Sequence, residues 1–385
     1  MKRSADRILT THAGSLPRPD DLIAANRDRP QDPATAALLR EAVHDVVQRQ
    51  VSAGIDVIND GELGKPMTGE VDYGAWATYA FGRLSGFERR ELLDFSTLMK
   101  EIMGDSRDRR DFPRFYAASN AERGPIPFPV NVGPIRYTGH ALVQRDIDNF
   151  KAALRGVSPA DAFMSSVFTG VQVGPSEHYR SKDEQAVAVA EAMREEYAAI
   201  VNAGLNVQID DPILVNVYEF RYSVDRDFAG FRKWAQSHVE LVNHALEGIP
   251  EDRIRYHLCW GSWLGPHSAD LPLREVVDLL LKIKASQYSF EAANPQHEHE
   301  WKLWKDVKLP EGKALIPGVV THKTTILEHP EVVADRIVRY ADVVGREHVV
   351  AGTDCGFGGR IDPEIAWAKL AALAEGAARA SDELW

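Results

Sequence analysis

Cysteine is nearly absent: Cys259 and Cys355 are the whole thiol inventory of 385 residues. Two thiols cannot build the disulfide framework on which small secreted domains depend, so the fold must rest on a hydrophobic core. Long apolar runs are missing as well. No segment approaches the roughly 18 consecutive apolar residues of a membrane-spanning helix, and the amino terminus, MKRSADRILTTHAGSLPRP, carries basic residues without an apolar stretch of signal-peptide length. A cytoplasmic protein with no membrane partner is expected. Positive charge is also in deficit, with 45 Lys and Arg against 57 Asp and Glu, a net charge of −12 and a pI near 5.6. Nucleic acids and anionic membranes both demand a basic face, so a small-molecule partner is the expectation.

What is present is the composition of an ordinary globular protein, 44% hydrophobic and 26% charged, enough to bury a large core. From residue 180 onward, apolar strand-like runs alternate with helix-period segments. The segment Asp183–Ala203 carries Ala190, Met193, Tyr197, Ile200 and Val201 on one face, and Gly204 then stops the helix before the buried strand NVQIDD. The unit recurs four times. A helix near Phe228–Leu246 leads to RIRYHLC, one near Leu273–Ile283 to SQYSFEA, one near His297–Trp304 to ALIPGVV, and one over Pro330–Val344 to HVVAGTD.

Upstream, RILTTHAG reads as strand one, Thr35–Ala53 as a helix with Leu39, Val43, Val46 and Val47 inward, and GIDVIND as strand two. A helix at Leu142–Leu154 and the strand DAFMSSV complete eight strands. Strands alternating with helices imply parallel pairing and right-handed crossovers, so the expected fold is a single α/β domain over 1–385, a (β/α)8 TIM barrel. Residues 65–140 break the rhythm with aromatic and Pro/Gly-rich pieces. They read as a hairpin or helical excursion between strands two and three, either a cap or a subunit interface of a homo-oligomer.

Chemistry in such barrels sits at the carboxyl ends of the strands. Those ends carry THAGS, Asp60 and Glu62, Asp210 and Asp211, His257 and Cys259, Glu291, His322, and Asp354 and Cys355. His257 and Cys259 lie two apart on a strand, so their side chains share a face. Both cysteines thereby fall at one barrel mouth. Imidazole and thiolate together suit zinc, with Glu291 on the neighbouring strand as a further ligand. Cys355 sits among glycines in AGTDCGFGG, a setting that exposes a thiol instead of packing it. A lone H-x-C is weak, because buried cysteine is common in cores; the convergence of several strand ends is what carries weight.

These motifs, in order, resemble the catalytic barrel of the cobalamin-independent methionine synthase family. TTHAGSLPRP, NDGE, VQIDDP, HLC, SFEAAN, GVVTHKT and TDCG span nearly the whole chain. The resemblance implies zinc on His257, Cys259, Glu291 and Cys355, and Ser15, Glu62 and Asp210 on the amino-acid part of a homocysteine-type thiol. It implies His322 as the histidine that manages a proton during methyl transfer. The expected activity is zinc-dependent transfer of a methyl or alkyl group from a donor to a small thiol, in methionine biosynthesis. Asp354, beside the metal cysteine, has a turn-capping role as an equal alternative.

Three departures bear on the donor. The full-length family form has a second, amino-terminal barrel, whereas this sequence opens at the catalytic one. The segment FTGVQVGPSEHY has no tryptophan where the family places one on a pterin, and residues 65–140 hold Tyr73, Trp76, Tyr79, Phe81, Phe112, Phe115, Tyr116 and Phe128. A single-barrel relative, the epoxyalkane–coenzyme M transferase, alkylates a sulfonated thiol. Two acids facing a sulfonate would repel it, which favours an amino-acid thiol here. A metal-dependent hydrolase and a structural-zinc binding module are the other classes this site admits.

Overall fold

A computed structural model of the chain describes residues 1–69, 74–93, 106–120, 126–168 and 175–385. Its strands are β1 (Leu9–Thr10), β2 (Val57–Ile58), β3 (Phe87–Leu93), β4 (Ile126–Asn131), β5 (Asp161–Val167), β6 (Asn206–Asp211), β7 (Ile254–Leu258), β8 (Gln287–Phe290), β9 (Ala314–Val320) and β10 (Val350–Thr353). Eight of them pair in the order β1-β10-β9-β8-β7-β6-β5-β2, every pairing parallel. Helices cover the outside, so the strands are buried on both faces; all seven residues of β9 and all five of β7 are buried. This is a nearly closed (β/α)8 barrel.

The seam between β1 and β2 explains why strand one is only two residues long rather than the whole of RILTTHAG. Asp56 N donates to Thr10 O at 3.2 Å, but the remaining bonds come from side chains. Thr10 N donates to Asp56 Oδ2 at 2.9 Å and Thr11 Oγ1 to Val57 O at 2.9 Å. Carboxylate and hydroxyls here do the work of a strand ladder.

The helices follow their apolar periodicity. Lys182–Asn202 starts at Ser181, whose hydroxyl accepts from Glu184 N, and buries Val189, Met193, Tyr197 and Ile200. Pro330–Val344 has the expected bounds, with proline in its first turn. Two expected helices are modified. Leu273–Ile283 splits into a 3-10 turn at Leu273–Glu275 and a short helix at Val277–Leu280, because Val276 lies outside helical backbone at φ −135°. The region near His297–Trp304 is a 3-10 helix, Glu298–Lys305. The closing helix Pro363–Leu384, capped by Asp362, packs on Pro330–Val344. Among the described residues no helix is long and apolar enough to cross a membrane.

The excursion holds an antiparallel pair, β3 with β4, but not a tight hairpin: helices Arg107–Asp111 and Pro113–Asn120 intervene. Tyr73 and the side chains of Trp76 and Phe128 lie outside the described residues. Arg83, behind helix Gly74–Gly82, meets Asp146 at 2.6 Å and Glu196 at 2.9 Å, and Tyr137 Oη donates to Glu196 at 2.5 Å, all buried. Removing one member of such a pair leaves an uncompensated buried charge, at a cost of about 3–5 kcal/mol. The far end is fastened by Asp108, which accepts from Tyr116 Oη at 2.7 Å, His267 N at 3.2 Å and Ser268 N at 3.0 Å. The loop that follows β7 at the barrel mouth is thereby tied to the excursion.

Candidate metal and substrate site

Strand register builds one layer of the site. Asp210, His257 and Ser289 are partners across β6, β7 and β8. Ser289 Oγ bonds His257 Nδ1 at 2.9 Å, which orients the ring and leaves Nε2 buried with no nitrogen or oxygen partner among the described residues. Cys259, two residues on, projects to the same side, and Cys355 follows β10. The donor atoms of His257, Cys259 and Cys355 all lie within 4.8 Å of one another. The Cys259 thiol donates to Cys355 and holds it well below the usual thiol range, against the effect of burial and with help from His257. That same sharing, together with burial, pushes Cys259 well above it. One buried imidazole nitrogen with no nitrogen or oxygen partner among the described residues and two thiols, one of them favouring the thiolate, form a donor set that fits zinc.

Glu291 stands outside this three-donor group. Fully buried, it accepts from Trp260 N at 2.8 Å on Oε1, and from Asn294 Nδ2 at 2.7 Å and Lys323 Nζ at 3.0 Å on Oε2. Asp354 takes the capping role. Its Oδ1 accepts from Ala292 N at 2.7 Å and Ala293 N at 2.8 Å, stitching the loop after β8 to the end of β10. His322 is buried, and neither ring nitrogen has a partner among the described residues. Burial lowers its pKa, against the neighbouring Cys355 and Glu291, which raise it.

Ser15, Glu62 and Asp210 line the adjoining side. The motif NDGE is a turn held by its own side chains: Asn59 Oδ1 accepts from Gly61 N at 2.8 Å and Asp60 Oδ1 from Glu62 N at 3.0 Å. Glu62 consequently sits in left-handed backbone at φ 59°, a strained setting for a non-glycine residue that is common at functional sites. Opposite it, Gly14 has φ +123°, and a Cβ there would fall 2.2 Å from Glu62 Oε1. Ser15 meets the cysteine loop directly, its carbonyl accepting from Phe357 N at 2.8 Å and Gly358 N at 3.0 Å. A Cβ on Gly358 would lie 2.4 Å from Ser15 Oγ. Burial and then the neighbouring Glu62 push Asp210 up to about 7.

Two cations here had no signal in strand periodicity. Lys65 Nζ lies 3.3 Å from Glu62 Oε2 and 4.8 Å from the centre of the Tyr79 ring, and Arg18 Nη1 donates to Ser15 Oγ at 3.2 Å. Arg18 belongs to the SLPRP motif and Lys65 follows NDGE by three residues, so proximity in sequence was the only clue. Lys323 likewise adjoins His322.

Buried acids give the metal-free protein a distinctive pH response. Burial raises Asp60 to about 6, Asp210 to about 7 and Asp354 to about 6. Despite burial, which lowers it, Asp270 and Glu300 hold His297 up to about 9. Groups whose folded pKa is raised take up protons in the native state, so their contribution to stability is present at low pH and lost as pH rises through the folded pKa. His12, lowered to about 4 by burial, opposes them, as do His322, which burial also lowers, and Cys355, whose favoured thiolate loses its contribution as pH falls. The raised acids and the lowered thiol therefore pull the stability of the metal-free protein in opposite directions between pH 8 and pH 5.5.

Residues 161–379 match the catalytic domain of the cobalamin-independent synthase family. A 2-hydroxypropyl-CoM lyase of Xanthobacter autotrophicus is 25% identical, covering 96% of this chain and 94% of that protein. A methionine synthase of Saccharolobus solfataricus is 25% identical over 97% and 95%, and one of Thermococcus kodakarensis 23% over 95% and 91%. Among solved structures, a B12-independent methionine synthase of a Shewanella species in complex with selenomethionine shares the fold at a TM-score of 0.72, with 22% identity and coverage of 98% and 99%. Matched over more than half of its length and built on the same barrel, the chain belongs to the cobalamin-independent methionine synthase family.

Proposed function

We propose that the protein transfers a methyl or other alkyl group to a small amino-acid thiol of the homocysteine type, using zinc held by His257, Cys259 and Cys355 with Glu291 beside them. The observation that carries this reading is the single buried group formed by His257, Cys259 and Cys355, in which His257 Nε2 has no nitrogen or oxygen partner among the described residues. When bound, zinc would keep a substrate thiol ionised at neutral pH, where a free thiol of pKa about 8.5 is mostly protonated.

The chain's own residues do the rest. Glu62 and Asp210 receive the substrate ammonium, and the Ser15 hydroxyl with the Arg18 guanidinium receives its carboxylate. His322 takes up a proton and, as the imidazolium, delivers it to the donor atom that leaves; the burial that lowers its pKa makes that imidazolium the readier acid. The described part of the excursion, tied through Asp108 and Tyr116 to the loop after β7, caps the mouth on the donor side. About one tightly held zinc per chain is expected in protein purified without added metal. Zinc-loaded protein incubated with homocysteine and methyl donors should yield the S-methyl product by mass. Protein without zinc, or hydrolysis without consumption of thiol, would sink the proposal.

A second reading, alkylation of a sulfonated thiol by an epoxide, draws on a specific observation. Glu62 is paired with Lys65, and Arg18 stands on Ser15, so the two acids do not face a substrate anion alone. Their repulsion toward a sulfonate is correspondingly reduced. The same assay with a sulfonated thiol and an epoxide separates the two readings.

A further inference from the structure

We infer that Lys65 is a specificity-determining residue: an internal cation that competes with the substrate ammonium for Glu62 and Asp210, and that swings into the cavity beside Tyr79 when an amino-acid thiol binds. The inference rests on the proposed amino-acid thiol and deepens that reading by naming the residue that selects for it.

Lys65 Nζ lies 3.3 Å from Glu62 Oε2, with the two side chains 11% and 12% exposed, so solvent screens the pair little. Its charge also reaches the other acid. Burial and then Glu62 raise Asp210, and the Lys65 ammonium opposes both. A substrate ammonium aimed at the two acids therefore meets a cation already there. Only one of the partners can yield. Glu62 is pinned by its backbone: its N donates to Asp60 Oδ1 at 3.0 Å, and its carbonyl accepts from Arg18 Nη2 at 2.7 Å and Lys65 N at 3.0 Å. The Lys65 carbonyl is held by Arg18 Nη2 at 3.3 Å, but its ammonium ends a flexible four-carbon stem.

A second seat for that ammonium is at hand. Nζ lies 4.8 Å from the centre of the Tyr79 ring, and a small cavity there is lined by Lys65, Asp60, Tyr79, Arg83, Asp146 and Glu196. Arg83 pairs with Asp146 and Glu196, so among the described residues Asp60 is the carboxylate left for a second cation. The ring stays in place, since Tyr79 is 3% exposed and its hydroxyl bonds Ser166 Oγ at 3.0 Å and donates to Glu196. Displaced from Glu62, Lys65 keeps its cation–π contact and gains Asp60. A thiol without an ammonium has nothing to put in place of Lys65, so selection for an amino acid follows as a difference between two affinities.

The test is calorimetric titration of full-length, zinc-loaded protein with two ligands: L-methionine, the S-methyl product of the proposed reaction, and 4-(methylthio)butanoate, the same molecule without its ammonium. Lys65→Met should tighten L-methionine by about tenfold, the order of one charge-assisted hydrogen bond. The same variant should weaken the deaminated analogue, whose carboxylate then approaches two unscreened acids. Lys65→Arg should weaken L-methionine, because a guanidinium can hold Glu62 through two parallel bonds and is harder to displace. Asp60→Asn keeps the oxygen that accepts from Glu62 N but removes the charge of the second seat. It should weaken L-methionine in the wild-type background and leave it unchanged in Lys65→Met, a coupling that a merely structural role does not produce. A folded Lys65→Met protein that binds L-methionine as the wild type does, or more weakly, overturns the inference, and so does an Asp60→Asn effect of equal size in both backgrounds. Should Lys65→Met fail to fold, a Lys65→Arg protein that binds L-methionine as tightly as the wild type overturns it. A wild type that does not bind L-methionine defeats the proposed amino-acid thiol itself, an outcome distinct from binding with the wrong response at Lys65.

Discussion

Serine in place of Cys259 should remove zinc and thiol alkylation together, lowering turnover by at least about 10²–10³-fold, the scale on which a single preorganised electrostatic group acts. The substitution keeps the shape of a side chain that is 7% exposed but exchanges a soft, ionisable sulfur for a hydroxyl that stays protonated. Cys355→Ser should do the same, because each thiol is half of the sulfur donor pair. Two controls separate a metal defect from a folding defect. The urea midpoint of the metal-free variant should match that of the metal-free wild type. Ser15→Ala, across the loop from Cys355, should retain zinc and lose thiol affinity. A Cys259→Ser protein that keeps both its zinc and its activity would show that the three-donor group is not the catalytic centre.

How far the site could be read from the sequence depends on the kind of contact. Strand periodicity places side chains by parity, so His257 and Cys259 two apart on β7 had to share a face, and the repeated alternation of strand and helix brought Cys355 to the same mouth. The barrel class was legible for the same reason. Parity does not place a carboxylate among competing donors: Glu291 lies at the expected strand end, yet Trp260 N, Asn294 and Lys323 hold it. Those partners come from three different loops, and no periodic signal ties them together. The short β1 is a similar case, since Asp56 replaces backbone partners that a strand pattern presumes. The excursion was visible as an interruption, but its anchors, Arg83 on Asp146 and Glu196 and the four donors gathered on Asp108, are long-range ion pairs and caps without a local motif.

Glu62→Gln combined with Asp210→Asn should cost more in affinity for an amino-acid thiol than the two single substitutions added together. Near neutral pH the wild-type site holds Glu62 beside an Asp210 that is only partly ionised, because burial and Glu62 raise it to about 7. Glu62→Gln removes one charge but also removes the neighbour that suppresses ionisation of Asp210, so a negative group remains. Asp210→Asn leaves Glu62 in place. Each single variant therefore keeps about one carboxylate for the ammonium, whereas the double variant keeps none. With charge-assisted hydrogen bonds contributing about 1.5–3 kcal/mol, KM for homocysteine should rise about 10–100-fold in the double variant and by much less in either single one, with zinc content unchanged. The pH profile carries the same signature. In the wild type KM should fall as pH rises and Asp210 ionises, with an inflection at or below 7, since a nearby divalent ion draws the value down. In Glu62→Gln that inflection should move to lower pH. A sulfonated thiol lacking the ammonium should bind the double variant at least as well as the wild type, because Lys65 is then released from Glu62. Equal losses for both thiols would mean that these acids shape the pocket without reading the substrate's charge.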